Sequence, residues 1–175
     1  MTPADPPITS PAQEHRRQAS GGLRLGVLTV SDSRTLANDT SGQLLVDRFT
    51  GAGHEIGLRR IVRDEIPLIR AAVAEAQSQD LDALLITGGT GVSPRDCTPE
   101  AIAPLLDVQL PGFGELFRML SFEEIGAASM LSRALAGRVG SLLVFALPGS
   151  TAAVRLAADK LLLSDLPHIV HHSRG

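Results

Sequence analysis

Short apolar runs that alternate with amphipathic segments constrain the fold of this chain more than any other feature of its sequence. The runs lie at Leu23–Val30, His54–Arg63, Leu81–Thr87 and Ser141–Leu147. Runs of this length are typical of buried strands in a parallel sheet. Because segments with helical spacing separate them, we predict an α/β fold with three layers, α/β/α, and a mainly parallel sheet.

Capping residues and apolar spacing place the first two helices between these strands. Thr40 or Ser41 is the expected cap of the first helix, and Gly51 or Gly53 is expected to end it. The second helix has Pro67 in its first turn, where proline is tolerated.

The middle of the chain predicts a short helix that begins with a capping hydroxyl at Thr98, followed by Pro99 and Glu100. Pro104 should keep this helix short or kink it. A further helix is expected over Glu115–Leu120.

The last third of the chain predicts three more elements. Ser121 to Glu124 matches a capping box and predicts the start of a separate helix. An antiparallel edge hairpin is possible between Leu131–Ala136 and the last strand, and the final helix is expected over Thr151–Leu163.

Length and proline content predict the domain organisation. A chain of 175 residues suits one domain, and we assign residues 23–175 to it. Residues 1–22 are rich in proline and poor in large apolar groups, so we expect a flexible N-terminal tail.

Composition excludes several classes of function. The chain has 16 basic and 19 acidic residues, a net charge of -3, and it lacks Trp and Tyr, so a general nucleic-acid binder is not expected. A single cysteine excludes an intramolecular disulfide framework. No segment has the pattern of a signal peptide or a membrane helix, and we therefore expect a cytoplasmic protein with no membrane partner.

Polar and glycine-rich segments follow the predicted strands, at the sheet edge where open α/β sheets bind ligands. They are Ser31–Arg34, Arg63–Glu65, Thr87–Asp96 and Pro148–Ser150. Glycine allows close backbone approach, and helix N-termini attract anions, so these segments favour a phosphate site. The candidate ligand-binding residues are Ser31, Asp32, Gly88, Gly89, Thr90, Gly91, Pro148, Gly149 and Ser150.

Known phosphate-binding fingerprints do not account for these glycines. A Walker A loop needs a lysine after its last glycine, and the only lysine of the chain is Lys160. A Rossmann glycine fingerprint is also absent. A tight turn with no ligand is therefore the alternative interpretation of the loop.

Two carboxylates near the glycine loop, Asp64 and Asp96, would suit Mg²⁺ bound together with substrate phosphates. Arg95 and Arg34 are candidates to neutralise phosphate oxygens. Alternatively, Asp64 is a helix cap and Asp96 is a cap or turn residue. Glu115 is a further candidate for the pocket, and its alternative interpretation is an ordinary acidic residue in the first turn of a helix.

Other polar residues have simpler interpretations. The histidines His168, His171 and His172 are expected at a solvated chain end, and a metal site is the alternative interpretation. Cys97 has no histidine nearby in sequence to activate it and is interpreted as a turn residue. The pair Arg59 and Arg60 is expected to face solvent or an interface.

Several segments together resemble one family, the MoaB/Mog proteins of molybdenum-cofactor biosynthesis. The matching segments, in order, are GVLTVSDSR, NDTSGQLL, VRDE, LLITGGTGVSPRDCTPE, LPGFGELFR, SFEEIGAASMLSRALAG and FALPGS. They cover the chain from about residue 24 onward, and the last two are closer to the MoaB branch.

The resemblance implies a molybdopterin adenylyltransferase, which transfers AMP from ATP to the terminal phosphate of molybdopterin with release of pyrophosphate and help from Mg²⁺. By motif position, Asp64 and Asp96 correspond to the essential aspartates and would hold the metal. The glycine loop, Arg95 and Glu115 would belong to the ligand pocket.

Two alternatives to that activity remain. One is a non-catalytic protein of the same fold that binds a pterin or a partner, and the other is a domain used in another nucleotide reaction.

The oligomeric state is implied only by the resemblance: the family implies a trimer, or a hexamer in the MoaB branch. An interface or an ordinary core would explain the apolar residues Leu116, Phe117, Met119, Leu120 and Phe122.

Overall fold

The computed structural model describes residues 22–174. The tail predicted over residues 1–22 lies outside the described residues, apart from Gly22. Among residues 22–174, no helix combines the length and apolar character that crossing a membrane requires.

Strands and helices alternate along the described chain. The strands are β1 (Arg24–Val30), β2 (Glu55–Val62), β3 (Ala83–Thr87), β4 (Val108–Gln109), β5 (Leu135–Val139) and β6 (Leu142–Leu147). The helices are α1 (Thr40–Gly51), α2 (Ile66–Ser78), α3 (Thr98–Ile102), α4 (Pro111–Ile125), α5 (Thr151–Ala157) and α6 (Leu166–Ser173). Short 3-10 segments follow α3 (Ala103–Leu105) and α4 (Gly126–Leu131), and a π turn follows α5 (Ala158–Leu162).

The strands form one six-stranded sheet in the order β2-β1-β3-β6-β5-β4. Strands β2, β1, β3 and β6 are parallel, whereas β5 pairs antiparallel with β6 and β4 pairs antiparallel with β5. The predicted mainly parallel sheet and its edge hairpin are therefore confirmed. The hairpin strand is β5, four residues later than the predicted start at Leu131, because the preceding residues form the 3-10 segment.

Two apolar cores cover the two faces of the sheet. Alternate residues of β1, such as Leu25 and Val27, pack with helices α1 and α4 and the helices at the C-terminus, whereas Leu28 packs with α2 and α3. This alternation follows from the two-residue period of a strand. It confirms the predicted three layers. The parallel pairing of β1, β3 and β6 brings their carboxyl ends together at one edge.

The cap of α1 differs from the predicted one. Asp39 is the N-cap, and its carboxylate accepts a hydrogen bond of 3.0 Å from the Gly42 N–H. The same carboxylate pairs with Arg59, so the prediction that Arg59 faces solvent or an interface is wrong. Burial opposes ionisation, but hydrogen bonds from Thr29, Gly42 and Arg59 outweigh it and lower the pKa of Asp39.

The cap predicted for α3 was also wrong. Cys97 is the N-cap residue, and the Thr98 hydroxyl instead donates a hydrogen bond of 2.9 Å to the Gly88 carbonyl. The helix is short, as Pro104 predicted, and gives way to a 3-10 turn.

The capping box predicted at Ser121–Glu124 does not exist. Helix α4 runs without a break through these residues to Ile125, so the predicted helix over Glu115–Leu120 is part of a longer one. Ser121 lies inside this helix rather than at one of its ends, and it is buried and lines a cavity. Helix α5 and the π turn that follows it together cover Thr151–Leu162, close to the predicted Thr151–Leu163. The last helix, α6, was not predicted.

Candidate functional site

A cavity of about 500 Å³ opens at the carboxyl ends of β1, β3 and β6. Most of the predicted site residues line it, and they form what we call the loop wall. The loop wall consists of Ser31, Asp32, Asp64, Gly88, Gly89, Thr90, Gly91, Asp96, Pro148, Gly149 and Ser150. Asp64 and Asp96 therefore face one cleft, although the strands that they follow, β2 and β3, lie on either side of β1.

Two glycines of the loop wall have backbone conformations that side chains rarely adopt. Gly88 has φ of 106° and Gly89 has φ of 63°. A Cβ on Gly88 would collide with the Val30 carbonyl oxygen, and a Cβ on Gly89 would lie 2.6 Å from Asp64 Oδ2. The glycines are therefore needed for close packing of β1, β3 and the Asp64 carboxylate.

Asp64 is buried with 7% of its surface exposed, and one of its oxygens is held by Cys97. Asp64 Oδ1 accepts hydrogen bonds from the Cys97 N–H at 3.0 Å and from the Cys97 thiol at 3.1 Å. Glu65, rather than Asp64, is the N-cap residue of α2, so the alternative interpretation of Asp64 as a helix cap is wrong.

Cys97 is a hydrogen-bond donor in this arrangement, which its sequence position did not predict. Burial, reinforced by the hydrogen bond to Asp64, raises the pKa of Cys97 to about 12. Because a thiolate is the nucleophilic form, this thiol is unsuited to covalent catalysis at neutral pH.

Asp96 both closes a turn and lines the cavity. Its Oδ2 accepts a hydrogen bond of 2.9 Å from the Ser93 N–H. A Cβ on Gly91 would lie 2.7 Å from the same oxygen, so the glycine loop and the carboxylate are in close contact. The interpretation of Asp96 as a turn residue is thus correct and compatible with a place in the site.

Arg95 lies beside the cavity and binds Asp32 through two hydrogen bonds. Arg95 Nε lies 2.6 Å from Asp32 Oδ2, and Nη2 lies 2.8 Å from Oδ1. The Arg95 hydrogen bonds lower the pKa of Asp32 to about 2, and the pair raises the pKa of Arg95. Arg34 is turned away, since its guanidinium donates to the Asn38 carbonyl at 3.0 Å.

Glu115 is not brought to this cavity. It lies on α4 and lines a separate cavity of about 220 Å³ together with Gln109 and Arg118. The prediction of a pocket acid from the PGFGE motif therefore has no support from the geometry of a single chain. The two cavities are separate because α4 carries Glu115 and Phe117 on different faces.

The opposite side of the cavity was missed by the sequence analysis. It comes from α4 and the segment that follows, and we call it the helix wall. The helix wall consists of Phe117, Ser121, Ile125, Ala128, Ser129, Leu131 and Ser132. Its first three residues recur every four positions, a helical spacing that would have indicated one continuous α4.

The apolar group predicted as interface or core contains both buried and exposed side chains. Phe117 is buried at 1% exposure, whereas Leu116, Met119 and Phe122 are about half exposed.

The sequence analysis also missed Arg133, whose guanidinium contacts the loop wall at the Gly91 and Asp96 carbonyl oxygens.

The Asp64 and Asp96 carboxylates fit a magnesium site in which substrate phosphates would fill the rest of the coordination shell. Within residues 22–174, Asp64 Oδ2 and Asp96 Oδ1 accept no hydrogen bond, so one oxygen of each is free to bind a ligand. The described chain holds no group of three or more His, Cys, Asp and Glu side chains placed for one metal, and this includes His168, His171 and His172. Mg²⁺ needs only one or two carboxylates when phosphates and water complete its shell.

Comparison with known proteins identifies the family. The family described as "Probable molybdopterin binding domain" matches residues 26–168. A relative from Bacillus cereus, molybdenum cofactor biosynthesis protein B, is 48% identical over 158 residues, which cover 89% of this chain and 94% of the relative.

Solved structures agree with that match in both sequence and fold. A crystal structure of a molybdenum cofactor biosynthesis protein B is 46% identical, with a TM-score of 0.85 and coverage of 88% of this chain and 97% of that chain. The tungsten cofactor synthesizing protein MoaB from Pyrococcus furiosus is 38% identical, with a TM-score of 0.80 and coverage of 88% and 98%. The chain therefore belongs to the MoaB/Mog family of molybdenum-cofactor biosynthesis proteins, within its MoaB branch.

Proposed function

We propose that this protein is a molybdopterin adenylyltransferase, which transfers AMP from ATP to the terminal phosphate of molybdopterin and releases pyrophosphate. The observation that carries the proposal is the convergence of Asp64, Asp96 and the glycine loop on one cavity. Membership of the molybdopterin-binding family supports the identity of the acceptor.

The reaction needs no side-chain nucleophile. A terminal phosphate oxygen of molybdopterin attacks the α-phosphorus of ATP, the bond from that phosphorus to the bridging oxygen breaks, and pyrophosphate leaves with the electron pair. The attacking group is already an anion. This agrees with the protonated state that the raised pKa gives Cys97.

The main barrier is repulsion between two polyanions, and the site residues would lower it by holding charge and position. Bound Mg²⁺ would neutralise phosphate charge, held by the free oxygens of Asp64 and Asp96. The Arg95 guanidinium is paired with Asp32 in the structure. On substrate binding, Arg95 would exchange this ion pair for contacts with phosphate oxygens.

The glycine loop would bind the ligand through backbone and hydroxyl groups. Thr90 is 1% exposed, and its hydroxyl has no hydrogen-bond partner among the described residues although it lines the cavity. A buried hydroxyl without a partner is costly, so a polar ligand group at this position would satisfy it. Ser31, Asp32 and the segment Pro148–Ser150 would complete the pocket.

The test is a reaction of purified protein with molybdopterin, ATP and Mg²⁺, followed by pyrophosphate release and adenylylated pterin. We expect product with the wild type and with Asp159→Ala, a control whose carboxylate pairs with Arg48 outside the cavity. We expect no product with Asp96→Ala. Tight pterin binding without any product in the wild type would instead establish the non-catalytic alternative.

Assembly into a trimer or hexamer is part of the same proposal. The half-exposed residues Leu116, Met119 and Phe122 on α4 give it an apolar surface that a second copy would cover. Light scattering coupled to size-exclusion chromatography measures the mass directly, and a chain that stays monomeric at micromolar concentration would exclude it. We further propose that the protein acts in the cytoplasm.

A further inference from the structure

Arg133, two residues before β5, contacts the loop wall through both its backbone and its side chain. Its backbone N–H donates to the Thr90 carbonyl at 3.0 Å. Its side chain donates from Nε to the Gly91 carbonyl at 2.7 Å and from Nη2 to the Asp96 carbonyl at 3.0 Å. The third guanidinium nitrogen pairs with the Glu100 carboxylate on α3.

These contacts join the glycine loop, Asp96 and α3 to the segment before β5. The exposed turn between Gly91 and Asp96 is closed locally by Asp96, which accepts the Ser93 N–H and donates its own N–H to the Ser93 carbonyl, and by a longer hydrogen bond of 3.4 Å from the Arg95 N–H to the Ser93 hydroxyl. Arg133 holds both ends of this turn from the segment that precedes β5. An arginine reaches these three acceptors with three separate nitrogens held in one plane, whereas a lysine has a single nitrogen from which all its donors point.

We infer that Arg133 is a positioning residue, which sets the glycine loop and the Asp96 carboxylate in the geometry that binds and activates the phosphates of the substrates. The inference rests on the proposed function for its effect on catalysis. Its structural part does not, because the hydrogen bonds to Gly91 and Asp96 are independent of any ligand.

The substitution Arg133→Lys tests this, since it keeps the charge and removes the fork. Arg138→Lys on β5 is the matched control: its guanidinium donates to the Ser173 carbonyl, away from the cavity. Glu100→Gln removes only the ion pair with Arg133. Circular dichroism and thermal melting establish that each variant is folded.

Hydrogen exchange of the backbone amides over residues 90–97 is the first readout and requires no activity. We expect these amides to exchange about tenfold faster in Arg133→Lys, which corresponds to the loss of about one hydrogen bond. In Arg138→Lys and Glu100→Gln the rates should stay within about twofold of the wild type.

The second readout is kcat for AMP transfer, which we expect to fall about 100-fold in Arg133→Lys and to stay within about twofold in both controls. Unchanged exchange would overturn the inference, whether or not kcat falls, since a fall alone would mean direct contact with the ligand. Faster exchange with unchanged kcat would also overturn it. A wild type without transfer activity would refute the proposed function, and the exchange readout would still decide whether Arg133 positions the loop.

Discussion

The loop wall of the cavity is made of backbone and carboxylates, whereas the helix wall is made mainly of apolar and small side chains. In the loop wall, Gly88 and Gly89 have positive φ, and Asp64 and Asp96 each accept hydrogen bonds from the chain. In the helix wall, Ile125 and Leu131 are more than half exposed. The structure of the loop wall therefore depends on individual hydrogen bonds and backbone angles, whereas that of the helix wall depends mainly on the size and shape of its side chains.

This difference leads to opposite expectations for substitution. A change of one atom in the loop wall alters a contact that no neighbour can replace, because packing there is at van der Waals distance. A change of several atoms on the exposed part of the helix wall removes surface that was only partly buried. Four experiments test the contrast, beginning with the largest expected effect.

Asp64→Asn should lower the rate of AMP transfer about 10³-fold, equivalent to about 4 kcal/mol of transition-state stabilisation. The amide oxygen can still accept the Cys97 N–H, so the fold should be retained, but the charge that would hold the metal is lost. Steady-state kinetics with a melting curve would measure both effects. Asp159→Asn is the control, and more than a tenth of the wild-type rate in Asp64→Asn would contradict the assigned role.

Gly88→Ala should destabilise the protein by about 3 kcal/mol, because the alanine would have to adopt a positive φ and its Cβ would collide with the Val30 carbonyl oxygen. Thermal unfolding should show a fall in Tm of about 10 °C. Gly112→Ala on α4 is the matched control, since a Cβ there meets nothing within 4 Å. Equal melting temperatures for the two variants would mean that the loop wall is more tolerant than its geometry indicates.

The Asp32 carboxylate should titrate at about 2 in the wild type, because Arg95 stabilises its charged form. Arg95→Gln should return the pKa toward the ordinary value of about 3.9. The pair therefore contributes fully above about pH 4 and is lost as the pH falls toward 2. Carbon NMR of the side-chain carboxyl measures both values, and an identical titration in the two proteins would show that the pair does not form in solution.

Leu131→Ser in the helix wall should change the free energy of unfolding by less than about 1 kcal/mol, because this side chain is 56% exposed. We expect molybdopterin affinity to fall severalfold, since the cavity loses an apolar contact. Calorimetric titration and urea unfolding measure the two quantities. Phe117→Ala, at a position only 1% exposed, should instead cost about 3–5 kcal/mol.

Much of the loop wall could be predicted from sequence because its residues follow strands. A buried apolar run that ends at Thr87 and continues into Gly88 and Gly89 already indicates a turn at the carboxyl edge of a sheet. The positions of Asp64 and Asp96 follow from the same rule.

Predictions that depended on one local motif were less successful. The capping box at Ser121 is a valid local pattern, yet the apolar spacing of α4 outweighs it because packing against the sheet stabilises the longer helix. Glu115 likewise carries a family motif but lies on a helix face that turns it toward another cavity. Neither outcome is encoded within the few residues that form the motif.

The sequence by itself determined the alternation of the main strands and helices, the two-faced core and the edge of the sheet where the cavity opens, since periodicity and glycine placement are local properties. The tertiary structure alone decided that Cys97 donates to Asp64, that Arg95 binds Asp32 and that Arg133 holds Gly91 and Asp96. These pairs are 33, 63, 42 and 37 residues apart in sequence. Contacts over such separations depend on how helices and strands pack, and no local pattern specifies that.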